Sequence, residues 1–263
     1  MRIIDCHCHI YPQKIATKAV EAIGGFYDLH MDCDGTAAGL LRQGEAVGVT
    51  NFLVHSVATT PHQVRSVNEF VAAEVAQFPD KLRGFGTLHP GSADIAGDFS
   101  HLIELGLNGV KLHPDFLGIA IDDPSYFKIY ELCSDAGLPI CFHTGDKRYD
   151  YSNPNRVVPL AKRFDHLKII AAHFGGYSIW EEASVALSPI KNIVVDCSSS
   201  LFGLCPDTAR DIVRRYGAHR VLFGTDYPMW SADKELERFY NMKLTDEENE
   251  LILHGNAERL LGF

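Results

Sequence analysis

The sequence predicts a single (β/α)8 barrel, and three observations carry that prediction. The chain has 263 residues, an ordinary length for one such barrel. Eight short apolar runs rich in β-branched residues recur along it, each closed by Gly, Pro, Asp or Ser. Between them lie amphipathic stretches carrying helix start and stop signals.

The first run, residues 2–10, reads RIIDCHCHI and stops at Tyr11-Pro12. The others span 51–58, 82–89, 109–113, 139–144, 168–174, 193–198 and 221–226. From the second run onward the starts fall roughly every 25–31 residues, the size of a strand-helix-strand unit. Residues 61–78 carry Val64, Val67, Val71 and Val75 at helical spacing, with Thr60 and Gln63 placed as a capping box. Helical patterns follow at 126–136, stopped by Gly137, and at 157–164, 179–187 and 207–216, the last stopped by Gly217. A second capping box, Thr245 with Glu248, opens a closing helix. Residues 11–36 break the spacing and read as an insertion over the barrel mouth after strand one. With no linker and no low-complexity segment, residues 1–263 read as one domain. An open doubly wound sheet is the alternative, but no Gly-rich nucleotide loop follows any strand.

Composition narrows the function. Hydrophobic residues make up 46% and charged residues 22%, enough apolar matter for a large core. Lys plus Arg number 24 against 34 Asp plus Glu, a formal charge of −10, the wrong sign for a nucleic-acid partner. No apolar run approaches the roughly 18 residues that cross a bilayer, and the N-terminus lacks a signal-peptide layout. The seven cysteines are odd in number and irregular in spacing, and read as buried, reduced thiols of a cytoplasmic protein. Strand alternation sends His7 and His9 to one face and predicts Cys6 and Cys8 on the other, against the helices.

Barrel enzymes hold their reactive groups at the carboxyl ends of the strands. Here strand one ends in His7-Cys8-His9, strand five at His143, strand six at His173 and strand eight at Asp226. A lone strand histidine is ordinarily a satisfied barrel-top residue, but four histidines and an aspartate at one end point to a common ion. Imidazole and carboxylate suit zinc, and a metal-bound water has its pKa lowered to about 7.

Those residues, with IIDCHCHIYP, GFGTLHP, GVKLHP, HTG, HFGG and FGTDYP as they stand here, resemble the amidohydrolase superfamily. The details resemble its amidohydrolase-2 branch, which includes aminocarboxymuconate semialdehyde decarboxylase, and the resemblance runs nearly end to end. It implies that His7, His9, His143 and Asp226 bind a divalent metal ion, one Zn2+ as the first choice and Mn2+ as the second. It implies that His173 is a further ligand or an acid/base, and that Asp226 also moves the water proton.

Lys111 lies on the strand where some superfamily members carry a bridging carboxylated lysine. The branch leaves it unmodified, so Lys111 is read as paired with a carboxylate or orienting substrate. His113 shares its parity and is read with it as a substrate-side residue. Arg148, in the loop after strand five, suits a carboxylate-bearing small-molecule substrate. His55 and His89 are read as structural or supporting histidines, Asp196 as a residue that bonds a ligand or a neighbouring histidine. Trp180, Met229 and Trp230 are read as walls of the pocket or as loop packing. Apolar outer-helix faces permit a homodimer. The first functional reading is metal-dependent hydrolysis of an amide, ester or lactone. The alternative is a nonoxidative decarboxylase of an aromatic or unsaturated acid, and the third a non-catalytic metal-binding barrel.

Overall fold

A computed structural model describes residues 2–263 and shows eight parallel strands alternating with helices. The strands are β1 (Ile4–His9), β2 (Asn51–His55), β3 (Leu82–Gly84), β4 (Val110–Leu112), β5 (Ile140–Phe142), β6 (Ile169–Ala171), β7 (Ile193–Asp196) and β8 (Val221–Leu222). The helices are α1 (Gln13–Tyr27), α2 (Ala37–Ala46), α3 (Val64–Gln77), α4 (Ile95–Glu104), α5 (Pro114–Leu117), α6 (Phe127–Asp135), α7 (Pro154–Arg163), α8 (Trp180–Leu187), α9 (Pro206–Tyr216), α10 (Ala232–Asn241), α11 (Asp246–Glu250) and α12 (Asn256–Leu261).

Strands pair in sequence order, β1 to β3 and β4 to β8. Two single parallel bridges close the circle, Gly86 with Val110 and Cys8 with Tyr227. At the first seam Lys111 N donates to Gly86 O at 2.7 Å; at the second His9 N donates to Tyr227 O at 2.7 Å and Asp226 N to His7 O at 2.9 Å. Each of the eight apolar runs contains a strand, though the strands are shorter than the runs, because the chain turns out of the ladder toward the barrel axis. β8 stops after two residues, and Asp226 four positions on has φ +62°, a conformation no strand contains.

Five helices were not marked in the sequence, α1, α2, α4, α5 and α10. The segment read as an insertion holds α1, whose last residue, Tyr27, lines the cavity at the barrel mouth. The capping box at Thr245 forms in both directions, Glu248 N donating to Thr245 Oγ1 at 3.2 Å and Thr245 N to Glu248 Oε2 at 2.9 Å. Gln63 Oε1 likewise accepts from Thr60 N at 3.2 Å. Among the described residues no helix is long and apolar enough to cross a membrane.

The core has two parts. Between strands and helices lies the larger one, with Phe52, Val54, Phe142, Tyr130 and Tyr216. The lumen holds Ile4, Cys6, Leu53, Cys141, Ile170 and Leu222, closed from below by Ala257 and Leu261 of α12. Cys6 is therefore inside the barrel, not against the helices as strand alternation predicts, while Cys8 is outside. The reason is an irregularity in β1, whose pairing with β2 shifts register between Asp5 and Cys8. A shift of one residue exchanges the two faces of a strand. Ile4 and Cys6 face the lumen below it, and His7 and His9 face the barrel mouth above.

The loops after β5 and β6 touch through backbone. Gly145 has φ +72°, and a Cβ there would stand 2.5 Å from Gly176 Cα. Gly145→Ala is expected to cost at least about 2 kcal/mol, from left-handed backbone and a clash that no rotamer relieves. Thermal unfolding against wild type measures it; an unchanged midpoint would show that the two loops are free to part.

Candidate metal centre and barrel-mouth cavity

Four of the predicted ligands and their neighbours stand in one layer above the apolar lumen. Asp226 Oδ1 lies 3.4 Å from His7 Nε2 and 3.6 Å from His9 Nε2. Two donors each about 2.1 Å from a tetrahedral ion stand about 3.4 Å apart, so these three atoms already have the separation of ligands around one cation. His143 does not join that focus. Its Nδ1 is 3.0 Å from His173 Nε2, and its Nε2 points toward Asp115 Oδ2 at 3.4 Å. The structure thus sets His7 and His9 beside Asp226 and His143 beside His113 and Asp115, with His173 between them, near His7 and Asp196 and bonded to His143.

Hydrogen-bond partners assign the tautomers. Asp196 Oδ2 accepts from His7 Nδ1 at 2.9 Å, which leaves the His7 Nε2 lone pair for the cavity. The other Asp196 oxygen accepts from His173 N and Ser198 N, each at 3.1 Å. His173 Nδ1 donates to Ser198 O at 3.0 Å, so neutral His173 receives the His143 Nδ1 proton on Nε2. The His143 Nε2 lone pair is then bare and buried, with no hydrogen-bond partner, as is His9 Nδ1. Bare imidazole lone pairs beside a carboxylate are the donor set a divalent cation takes. Asp226 is held by Ser199 Oγ at 2.5 Å, itself taking the Trp230 Nε1 proton at 3.0 Å.

His173 (φ +61°), Ser199 (φ +43°) and Asp226 (φ +62°) all carry left-handed backbone. For non-glycine residues this costs of order 1–3 kcal/mol each and concentrates at functional sites. It turns each of these residues off its strand and over the barrel axis.

Burial sets the protonation. It pushes His7, His9, His55, His113 and His143 well below the usual imidazole range, and His173 down to about 4. It pushes Asp226 up to about 6 and Asp115 up to about 7. Lys111 is fully buried among them, its Nζ 3.0 Å from His7 Nε2 and 3.6 Å from Cys141 Sγ. Among the described residues no carboxylate lies within the 4 Å of an ion pair, so the pairing read for Lys111 is absent. Its nearest partner is His7 Nε2.

Above this layer His9, His143, His173 and Asp226 open into a narrow cavity walled by Tyr27, Met31, Phe116 and Met229. His113 stacks between His143 (4.0 Å, 8°) and Phe116 (3.6 Å, 3°), and its Nε2 meets Tyr27 Oη at 3.1 Å. Arg148 is engaged by the protein itself. Its fork holds Asp146 at 2.7–3.1 Å and Phe26 O at 2.6 Å, fastening the end of α1. Trp180 lines a separate, outer recess with Phe202 and Tyr177. His89 is occupied by its own turn, Nδ1 accepting from Gly91 N at 2.9 Å.

Three residues of this site escaped the sequence reading. Tyr27 sits in a stretch without strand periodicity, Asp115 belongs to a four-residue helix, and Ser199 looked like turn filler. Only proximity to HP in GVKLHPD and to Asp196 in VVDCSS hinted at the last two.

A family model described as Amidohydrolase matches residues 4–263. The chain belongs to the amidohydrolase family. A gamma-resorcylate decarboxylase of Polaromonas sp. strain JS666 is 25% identical over 244 residues, covering 74% of this chain and 75% of the relative. A 2-amino-3-carboxymuconate-6-semialdehyde decarboxylase of Dictyostelium discoideum is 23% identical over 237 residues, covering 75% and 66%. Among solved structures, an uncharacterised TIM-barrel protein of Bordetella bronchiseptica superposes with a TM-score of 0.84 at 22% identity, covering 100% of this chain and 99% of that one. A dihydroxybenzoic acid decarboxylase of Polaromonas sp. JS666, with bound manganese and 2-nitroresorcinol, superposes with a TM-score of 0.74 at 17% identity, covering 99% and 96%. The chain is a metal-dependent enzyme of the hydrolase or carbon–carbon lyase type.

Two predictions follow from the geometry. Asp196→Asn removes the carboxylate that fixes the His7 tautomer and is expected to weaken metal binding 10–100-fold; chelator competition measures it, and unchanged affinity would show that His7 is oriented by other contacts. The second concerns acid. Between pH 4 and 6.5 six buried imidazoles bind protons only when unfolded, whereas four buried carboxyls, Asp5, Asp115, Asp226 and Glu235, bind them only when folded. The imidazoles outnumber the carboxyls, so the unfolded chain takes up more protons and stability rises with pH. Metal-free protein is expected to lose thermal stability steadily on acidification from pH 6.5 to 4.5; a flat profile would mean the imidazoles are not buried in their neutral form.

Proposed function

We propose that this protein is a metal-dependent nonoxidative decarboxylase of a small aromatic or unsaturated carboxylic acid. The observation that carries the reading is the pairing of the His7, His9 and Asp226 focus with a stacked, aromatic-walled cavity, in a chain whose curated relatives in hand are decarboxylases. Hydrolysis, the first choice on sequence grounds, has weaker support than this alternative. The aromatic walls, Tyr27, Phe116 and the His113–His143 stack, are of a kind that suits a planar acid.

His7, His9 and Asp226 would hold one divalent ion, with His143 joining by turning its bare Nε2 across from Asp115, and the ion would be zinc by donor type or manganese as in the Polaromonas structure. The ion, when bound, supplies positive charge that anchors and polarises an anionic substrate. The chain's own groups do the rest. Lys111 adds a positive group beneath the layer, in contact with His7 Nε2. His113 and Tyr27, bonded to each other, set the wall against which the ring lies. The carbon that loses carbon dioxide must gain a proton. His173 and Asp226 both line the cavity, and each stands on a network that holds it in place: Ser198 for His173, Ser199 for Asp226. Carboxylate carbon would leave as carbon dioxide, the bonding pair would stay on the ring or chain carbon, and a proton taken from water and relayed by one of these groups would replace it.

The test is a panel of hydroxybenzoates and unsaturated dicarboxylates, with esters and lactones alongside, assayed with zinc- and manganese-loaded protein. Release of carbon dioxide, with one deuterium incorporated at the vacated carbon in heavy water, is expected. Turnover confined to esters or lactones would replace this reading with hydrolysis. His173→Asn and Asp226→Asn are each expected to lower kcat by 10²–10⁴-fold, with His173→Asn retaining metal by elemental mass spectrometry. Near-normal turnover in both variants would remove them from proton delivery.

A further inference from the structure

His55 ends β2 in register with His9 and points into the lumen, as Leu53 does two residues earlier. It is wholly buried, and neither of its ring nitrogens has a hydrogen-bond partner. Among the described residues no other buried histidine is left with both nitrogens unmet. A buried imidazole with two unpaired polar atoms is costly to fold, and a phenyl ring would fill the same space without that cost. What surrounds it gives it a use. Its ring stands edge-on to His9 (4.4 Å, 85°) and His7 (4.8 Å, 80°), the two residues that face Asp226. Donor atoms of His7, His9 and His55 lie within 4.8 Å of one another, a group that His143 does not join.

We propose that His55 is a ligand of the metal ion, a further imidazole delivered from strand two. The inference rests on the metal-site reading above and extends it. Donors on one ion stand about 3.4 Å apart, so closing this group takes side-chain movements of about 1 Å. With His7, His9, His143 and Asp226 it brings the protein donors to five. Five such donors would suit a divalent ion of higher coordination number, such as manganese, better than a four-coordinate zinc.

His55→Phe keeps an aromatic ring between His7 and His9 and removes both nitrogens. Metal affinity is measured by chelator competition, and coordination by the visible spectrum of the cobalt-loaded protein, for wild type, His55→Phe and His9→Ala. The expected result is affinity at least about 100-fold weaker in His55→Phe, beyond the 10–100-fold of a residue that only orients a ligand, together with altered cobalt bands. Affinity within tenfold of wild type and an unchanged cobalt spectrum, with metal lost from His9→Ala, would overturn the role of His55 and leave the metal site standing. Wild-type protein that takes up no ion would overturn both. Should His55→Phe fail to fold, anomalous diffraction from metal-loaded wild-type crystals gives the answer. An ion about 2.0–2.3 Å from a His55 nitrogen supports the assignment, and one beyond about 3.5 Å refutes it.

Discussion

The site depends on one buried carboxylate at the seam of the barrel. Asp5 Oδ1 accepts from His7 N at 3.2 Å and Thr225 N at 3.0 Å, and Oδ2 from Thr225 Oγ1 at 2.6 Å. Thr225 Oγ1 in turn takes the proton of Tyr227 N at 3.0 Å. With these bonds Asp5 fastens the first strand to the last, across a seam that has a single ladder bridge. It sits at the register shift in β1 and beside the left-handed turn at Asp226. The same side chain thereby closes the barrel and brings His7 and Asp226 face to face. Burial pushes its carboxyl up to about 6, which shows how far it has been taken from water to do so.

Charge is distributed unevenly around the cavity. The imidazoles are neutral, so their lone pairs are available, and Asp196 and Asp226 supply the negative charge that a cation and the Lys111 ammonium answer. Such a layer is poorly satisfied without an ion, since His9, His55 and His143 each leave a nitrogen unmet. Folding energy from the apolar lumen below and the helix layer outside holds these groups together against that cost. Strain at His173, Ser199 and Asp226 is part of the same arrangement: the left-handed turns take side chains that would continue up a strand and lay them over the axis.

The mouth is covered by α1, and its grip is polar and aromatic. Arg148 lies over the rings of Phe26 (4.8 Å), Tyr27 (5.3 Å) and Tyr149 (5.2 Å) while its fork is taken by Asp146 and Phe26 O. A residue suited by chemistry to a substrate carboxylate is thus committed to positioning Tyr27, which in turn holds His113.

What the sequence determined by itself was the periodic part. Eight apolar runs at regular spacing point to eight strands, and a histidine or aspartate near the end of a run then lies at the barrel's reactive end, because all parallel strands point one way. His7, His9, His143, His173 and Asp226 were legible for that reason. The tertiary structure decided what depends on contacts between distant residues. The shift in β1 that places Cys6 inside, the pairing of Arg148 with Asp146, the absence of a carboxylate partner for Lys111 and the entry of Tyr27 into the cavity have no local signal. Each is set by which neighbour arrives across a seam or a loop, and side-chain periodicity carries no information about that.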